Sequence, residues 1–115
     1  MSSPKRPVNI HDEYHAHIYF ERETVDFATD LCRTIGQIFT LPVGRIHQKP
    51  VGPHTKWSCQ VTFTKDNFDR FIPWLDEARG ELSVLVHAST GDALKDHTTY
   101  AYWLGSEVDL NLKGF

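Results

Sequence analysis

The chain has 115 residues and a mass of 13.2 kDa, the size of one compact domain, which excludes a two-domain enzyme. Its 40% hydrophobic and 23% charged residues are those of a soluble globular protein and exclude disordered, collagen-like and coiled-coil classes. The net charge is −3, from 12 Lys and Arg against 15 Asp and Glu with the signs interspersed, so no basic field exists to draw nucleic acid or an anionic membrane.

Residues 1–12 are polar, carry two prolines and read as a flexible tail, with 13–115 as a single domain. No apolar run approaches the ~20 residues of a membrane span, and the first residues lack the apolar core of a signal peptide, so the expected location is the cytoplasm. Residues 14–20 (YHAHIYF) alternate, placing Tyr14, Ala16, Ile18 and Phe20 on one face of a strand and His15, His17 and Tyr19 on the other. Apolar residues then recur at intervals of three and four over 25–39, a helix with Thr24 in position to cap it. Residues 41–49 (LPVGRIHQK) pattern as a weaker second strand, and Pro50, Gly52 and Pro53 make a stiff turn that carries His54.

A third strand, 57–63 (WSCQVTF), points Trp57, Cys59, Val61 and Phe63 inward and Ser58, Gln60 and Thr62 outward. Residues 66–79 form a second helix closed by Gly80, and Pro73 is expected to kink or divide it. The fourth strand, 82–87, sets His87 on the face opposite Val84 and Val86. A turn-rich segment follows, then the aromatic residues 100–103 and an alternating tail, 108–112, with the pattern of an edge strand. The order predicts an α+β fold, a ferredoxin-like βαββαβ sandwich. Two helices cover one face of a four-stranded antiparallel sheet, whose first strand lies between the third and the fourth, and the other face is open and rich in histidine. Cys32 and Cys59 fall on apolar faces and read as inert core thiols; His11 falls in the tail and reads as solvated.

Seven histidines in a chain this short call for a positional reading, because imidazole is the commonest metal ligand and the usual acid or base near neutral pH. His15 and His17 stand side by side on the open face, with Cα atoms ~6.5–7 Å apart from a rise of ~3.3 Å per residue. An isolated pair of this kind is more often a surface feature than a ligand pair. His54, His87 and His97 approach the same region, however, and five convergent histidines point to a metal or acid–base site. Imidazoles suit zinc, copper, iron or nickel. The sequence has no GxSxG, no phosphate-binding glycine loop and no CxxC, so serine hydrolase, NTPase and zinc-ribbon readings have no support.

The motifs His15-Ala16-His17-Ile18-Tyr19-Phe20, Gly52-Pro53-His54, Leu85-Val86-His87, Asp96-His97-Thr98 and Trp103-Leu104-Gly105 together resemble the small DOPA 4,5-dioxygenase family of aromatic ring-opening enzymes. The resemblance covers about residues 13–112. It implies a ferredoxin-like domain, often paired as a homodimer, that cleaves a catechol such as DOPA by the extradiol route with O2 and non-haem iron(II), giving a yellow semialdehyde. Zinc is a possible adventitious occupant of the same imidazoles. Within the family's histidines, His17 and His87 lie on neighbouring strands and His54 can fold over them, giving a three-imidazole metal site in which His54 is open to exchange with His97 or His15. His15 and His97 are then the candidate catalytic acid or base, and Arg45, His47 and Tyr19 the candidate substrate contacts. The competing reading is a non-catalytic ferredoxin-like dimer that binds a small aromatic ligand or zinc.

Overall fold

The computed structural model describes residues 4–115. Its elements in chain order are β1 (Glu13–Phe20), a 3-10 turn (Arg22–Thr24), α1 (Val25–Phe39), β2 (Trp57–Thr64), α2 (Lys65–Ala78), β3 (Val84–Ala88), a single-turn α3 (Ala93–Asp96) and β4 (Ala101–Leu104). The four strands form one sheet in the order β2-β1-β3-β4, with every neighbouring pair antiparallel. The fold is α+β, and its central strand is the one expected, flanked by the strands at 57–64 and 84–88.

The period of two in β1 decides which face is which. Tyr14, Ala16, Ile18 and Phe20 join Cys59, Val61 and Phe63 of β2 and Val84 and Val86 of β3 in the main core. Against them pack Ala28, Leu31, Cys32 and Ile35 of α1 and Phe68, Phe71, Ile72 and Leu75 of α2. Each helix supplies these residues at spacings of three and four, so one stripe of each is apolar and the rest meets water. Both cysteines are free thiols buried in this core, as their apolar positions suggested.

Several local expectations give way to the structure. Residues 41–49 do not form a regular strand: Val43 and His47 make only isolated bridges to Val61 and Ser58 of β2. Pro42 has no amide hydrogen to give a ladder, and Gly44 is held close by its amide donating to the Gln60 carbonyl at 2.7 Å. The segment therefore lines the outer side of β2 as an irregular flank, and the fourth strand of the sheet is Ala101–Leu104 on the opposite edge. Pro73 lies inside α2 without dividing it. Pro73 and Asp69, whose carbonyl loses its helical partner, are both exposed, so that carbonyl lies on the solvent side of the helix. Thr24 stands at the N-cap of α1 but makes no side-chain cap there; its hydroxyl instead accepts from the Glu21 amide at 2.9 Å and closes the preceding 3-10 turn. Gly80 follows α2 with a φ of +59°, the left-handed conformation that ends a helix at low cost in glycine.

The face away from the helices is less open than the alternation implied. Tyr19, Leu85, Ala101 and Trp103 form a second apolar cluster there, covered by Val108 and Leu110. Residues 108–112 are not an edge strand. They cross this face as a strap, bridged at Leu110 to His54 and tied by the Asn111 amide donating to the Pro53 carbonyl at 2.8 Å. The first three residues of the expected tail lie outside the described ones. Farther along, the Lys5 carbonyl accepts from the Trp103 amide at 2.7 Å and so meets the β4 edge. His11 is half-buried rather than solvated, its Nε2 hydrogen-bonded to the Tyr102 hydroxyl at 2.8 Å.

Phe71 is fully buried, with its ring 5.0 Å from that of Phe63 and 5.3 Å from that of Phe39. Phe71→Ala should lower unfolding free energy by about 3–5 kcal/mol. Urea denaturation should show this as a lower midpoint at unchanged m-value.

Candidate metal centre and active site

The site is built on the face of the sheet that β1 gives to its odd-numbered residues. Register sets His15 directly opposite His87 on β3, and His17 one pleat along, opposite Leu85. Diagonal neighbours on one face are within reach of long or aromatic side chains, and the Nε2 atoms of His17 and His87 stand 3.0 Å apart. The His15 ring lies 6.0 Å from that of His17 and 5.2 Å from that of His87. One ligating nitrogen from each of His15, His17 and His87 can be chosen so that all lie within 4.8 Å of one another.

Two further imidazoles close over this triad. His54 comes from the stiff turn after residue 50, whose Gly52 takes a φ of +54°, and its ring centroid is 4.0 Å from that of His17. His97 comes from the C-terminus of α3 and lies 4.2 Å from His87 and 6.3 Å from His54. All five histidines border one pocket of about 370 Å³. His17, His54 and His87 are 5%, 6% and 3% exposed, so most of the cluster is withdrawn from water.

Burial governs the protonation of the group. It pushes His54 down to about 4 and His87 down to about 3 from an ordinary value of 6.5, with mutual repulsion among the imidazoles adding to the effect. His17 is held well below its ordinary value, by burial first and then by His54, His87, His15 and His97. His15 is lowered too, chiefly by burial. At neutral pH these rings are uncharged, the state in which imidazole binds a metal.

Hydrogen bonds fix which nitrogen faces inward. His87 Nδ1 donates to the Ala88 carbonyl and His97 Nδ1 donates to the Ala93 carbonyl, each at 2.7 Å. A carbonyl only accepts, so in the neutral form of each ring the proton sits on Nδ1 and Nε2 bears the lone pair, which in His87 is placed to accept from His17 Nε2 at 3.0 Å. The His54 Nδ1 is paired instead with the Tyr19 hydroxyl at 2.7 Å.

The donor set fits a divalent transition ion. Nitrogens ~2.0–2.1 Å from a shared ion stand about 3 Å apart when they subtend nearly a right angle there, close to the 3.0 Å between His17 and His87. The chemistry of an all-imidazole set suits zinc, copper, iron or nickel.

A sequence profile described as the Dopa 4,5-dioxygenase family matches residues 14–114. The chain belongs to that family. It is 32% identical over 109 residues to a DOPA 4,5-dioxygenase of Amanita muscaria, and 37% identical over 115 residues to an uncharacterized 21.2 kDa protein of Botryotinia fuckeliana. These alignments take in 87% and 90% of this chain but only 48% and 63% of the two fungal proteins, so the chain spans about half to two-thirds of their length. A crystal structure of a Nostoc punctiforme protein titled a "putative dioxygenase" superposes with a TM-score of 0.85 at 40% identity, covering 92% of this chain and 93% of that one.

Of the other residues singled out in the sequence, His47 borders a smaller hollow of about 170 Å³ beside His17 and His54. Tyr19 is 2% exposed and lies behind His54, its hydroxyl engaged there. Arg45 is exposed and borders neither hollow. Two pocket residues owe their place to contacts that no local pattern encodes. Asp96 is a buried carboxylate whose oxygens accept from the Thr90 amide at 2.8 Å and the Thr90 hydroxyl at 2.6 Å, pinning the loop before α3. The Asp96-His97-Thr98 motif contained this carboxylate but not its burial against Thr90. Phe115 places its ring 4.9 Å from His97 at the pocket, and no pattern in the sequence announces it. No helix among the described residues is long and apolar enough to cross a membrane.

The depressed histidines tie stability to pH. Between 6.5 and the folded values of about 3–4, the unfolded chain binds protons that the folded one refuses. Unfolding free energy therefore rises with pH in that window and is lost as pH falls through it. Metal-free protein should melt at a lower temperature at pH 5 than at pH 7, and His87→Gln should flatten the slope. A melting temperature independent of pH over that range would contradict the burial of uncharged imidazoles.

Proposed function

We propose that this chain is a non-haem iron(II) dioxygenase that opens the ring of a catechol such as DOPA by extradiol cleavage, inserting both atoms of O2 to give a yellow semialdehyde. The observation that carries the reading is the 3.0 Å approach of His17 Nε2 to His87 Nε2 inside a buried pocket of uncharged imidazoles, in a chain of the Dopa 4,5-dioxygenase family. His17 and His87 would hold the metal, with His15 as the third ligand, because these three offer nitrogens within 4.8 Å of one another. This choice exchanges the places that the sequence suggested for His54 and His15. Iron(II) bound there would act as a Lewis acid toward the catechol oxygens and supply a binding position for O2.

The protein's own residues do the rest. His97, with its Nδ1 proton held by the Ala93 carbonyl, presents a bare Nε2 that takes the catechol proton. Phe115 and Pro53 are apolar walls that flank a flat ring and limit water in the pocket. His47 borders the adjoining hollow, where a substituent on the ring can extend, and Arg45 serves as an outer contact only if that substituent reaches the surface. The working unit is residues 13–115, and its expected compartment is the cytoplasm.

Pairing into a homodimer is part of this proposal. Residues 108–112, the Lys5 segment and residues 41–49 cover much of the sheet face and edges that a partner could otherwise cover. Among the apolar side chains still exposed, Phe27 and Ile38, 47% and 52% exposed on α1 and eleven residues apart, share one side of a helix. Light scattering should give twice the 13.2 kDa chain mass; a monomer would remove the dimer from the account.

Protein loaded anaerobically with iron(II) and then given L-DOPA and air should consume one O2 per catechol and turn yellow. His17→Ala and His87→Ala should each lose bound iron and turnover together. Iron held by either variant at wild-type affinity would overturn the ligand assignment. Iron-loaded protein that leaves DOPA and simple catechols untouched would move the reading to a ligand-binding domain.

A further inference from the structure

The pocket imidazoles differ in what anchors them, and the difference assigns a role. His87 and His97 each have Nδ1 against a backbone carbonyl, which forces the proton onto Nδ1 and leaves Nε2 bare. The His54 Nδ1 faces a phenol, which can donate or accept. Which it does follows from the hydroxyl's surroundings. Tyr19 is 2% exposed, packed with Leu85, Ala101 and Trp103, and its hydroxyl has no other hydrogen-bond partner among the described residues. If His54 Nδ1 carried the proton, the Tyr19 proton would be buried without an acceptor, a loss of about 1–3 kcal/mol. If Tyr19 donates to a bare Nδ1, the buried hydroxyl proton has its acceptor. Neutral His54 must then carry its proton on Nε2, on the ring edge away from Tyr19.

We propose that Tyr19 is a positioning residue that holds His54 as the Nε2–H tautomer, so that His54 meets the pocket as a hydrogen-bond donor to an oxygen of the bound substrate and not as a metal ligand. The proposal rests on the dioxygenase reading of the pocket. It divides the labour there: His97 offers a lone pair, His54 offers a proton-bearing nitrogen, and His15, His17 and His87 are left for the ion. A fixed donor aimed where negative charge develops on oxygen lowers a barrier without reorganising during the reaction. Tyr19, placed in the sequence among the substrate contacts, would act through His54 and not by touching substrate.

Long-range 1H–15N NMR of the metal-free protein tests the tautomer without any turnover. His54 should show a bare Nδ1 and a protonated Nε2, with His87 and His97 the reverse; a proton on His54 Nδ1 overturns the proposal. Tyr19→Phe keeps the ring in its cluster and removes only the hydroxyl, and it should leave the His54 proton distributed over both nitrogens. With iron loaded, Tyr19→Phe and His54→Ala should each retain wild-type iron affinity within about twofold and lose kcat by tenfold or more, with little change in KM. Tyr19→Phe should add little to the loss in His54→Ala, and His54→Gln, whose amide also donates, should recover part of it. Loss of iron in His54→Ala, or full kcat in Tyr19→Phe, overturns the assignment. If the wild-type protein binds iron but opens no catechol, the dioxygenase reading fails and the NMR result still decides whether Tyr19 sets the tautomer.

Discussion

The antiparallel pairing of β1 with β3 is the constraint on which everything else depends, because its register places His15 opposite His87 and brings the His17 and His87 nitrogens to 3.0 Å. A slip of one residue would turn His15, His17 and Tyr19 toward the helices and Ala16, Ile18 and Phe20 toward the strap, exchanging the contents of the two faces. The core prevents that slip. Tyr14, Ala16, Ile18 and Phe20 are almost fully buried under α1 and α2, and turning them out would forfeit about 1.5–3 kcal/mol for each large side chain. The hydrophobic face of the central strand thus locks the histidine face into register.

Burial then sets the chemistry of that histidine face. Imidazoles packed at centroid separations of 4.0–6.0 Å cannot all carry charge away from water, and several are driven well below their ordinary protonation range. The outer ring nitrogens are occupied by Ala88, Ala93 and Tyr19, which leaves the inner nitrogens oriented. His87, held this way, turns its other nitrogen toward the proposed ion position, as such hydrogen bonds fix the tautomer and aim of metal-binding histidines generally, while His97 and His54 are oriented for proton transfer and donation.

Much of this was legible in the sequence. The alternation of β1 and β2 gave the two faces of the sheet, the three-and-four spacing gave both helices, and the same face logic placed His15, His17 and His87 together. His54 and His97 entered because the turn at 50–54 and the segment before the aromatic residues 100–103 bring them toward the same region, and the family motifs agree with that placement. What escaped was set by long-range contact. Residues 41–49 carry enough apolar character for a strand, but Pro42 and the close approach of Gly44 to β2 leave only isolated bridges. Residues 108–112 alternate like a strand, yet Val108 and Leu110 find their burial against Trp103 and Leu85 across the sheet face. The roles of Asp96 and Phe115 depend on partners six and eighteen residues away along the chain, Thr90 and His97, and no local period encodes either.

The central claim is that His17 and His87 share one metal ion through their Nε2 atoms. The most direct test is a crystal structure of the iron(II)-loaded protein with anomalous scattering recorded at the iron edge. The account predicts a single anomalous peak between His17 Nε2 and His87 Nε2, with His15 completing the protein ligands. A peak elsewhere, or an ion that leaves these two nitrogens in contact with each other, would contradict it.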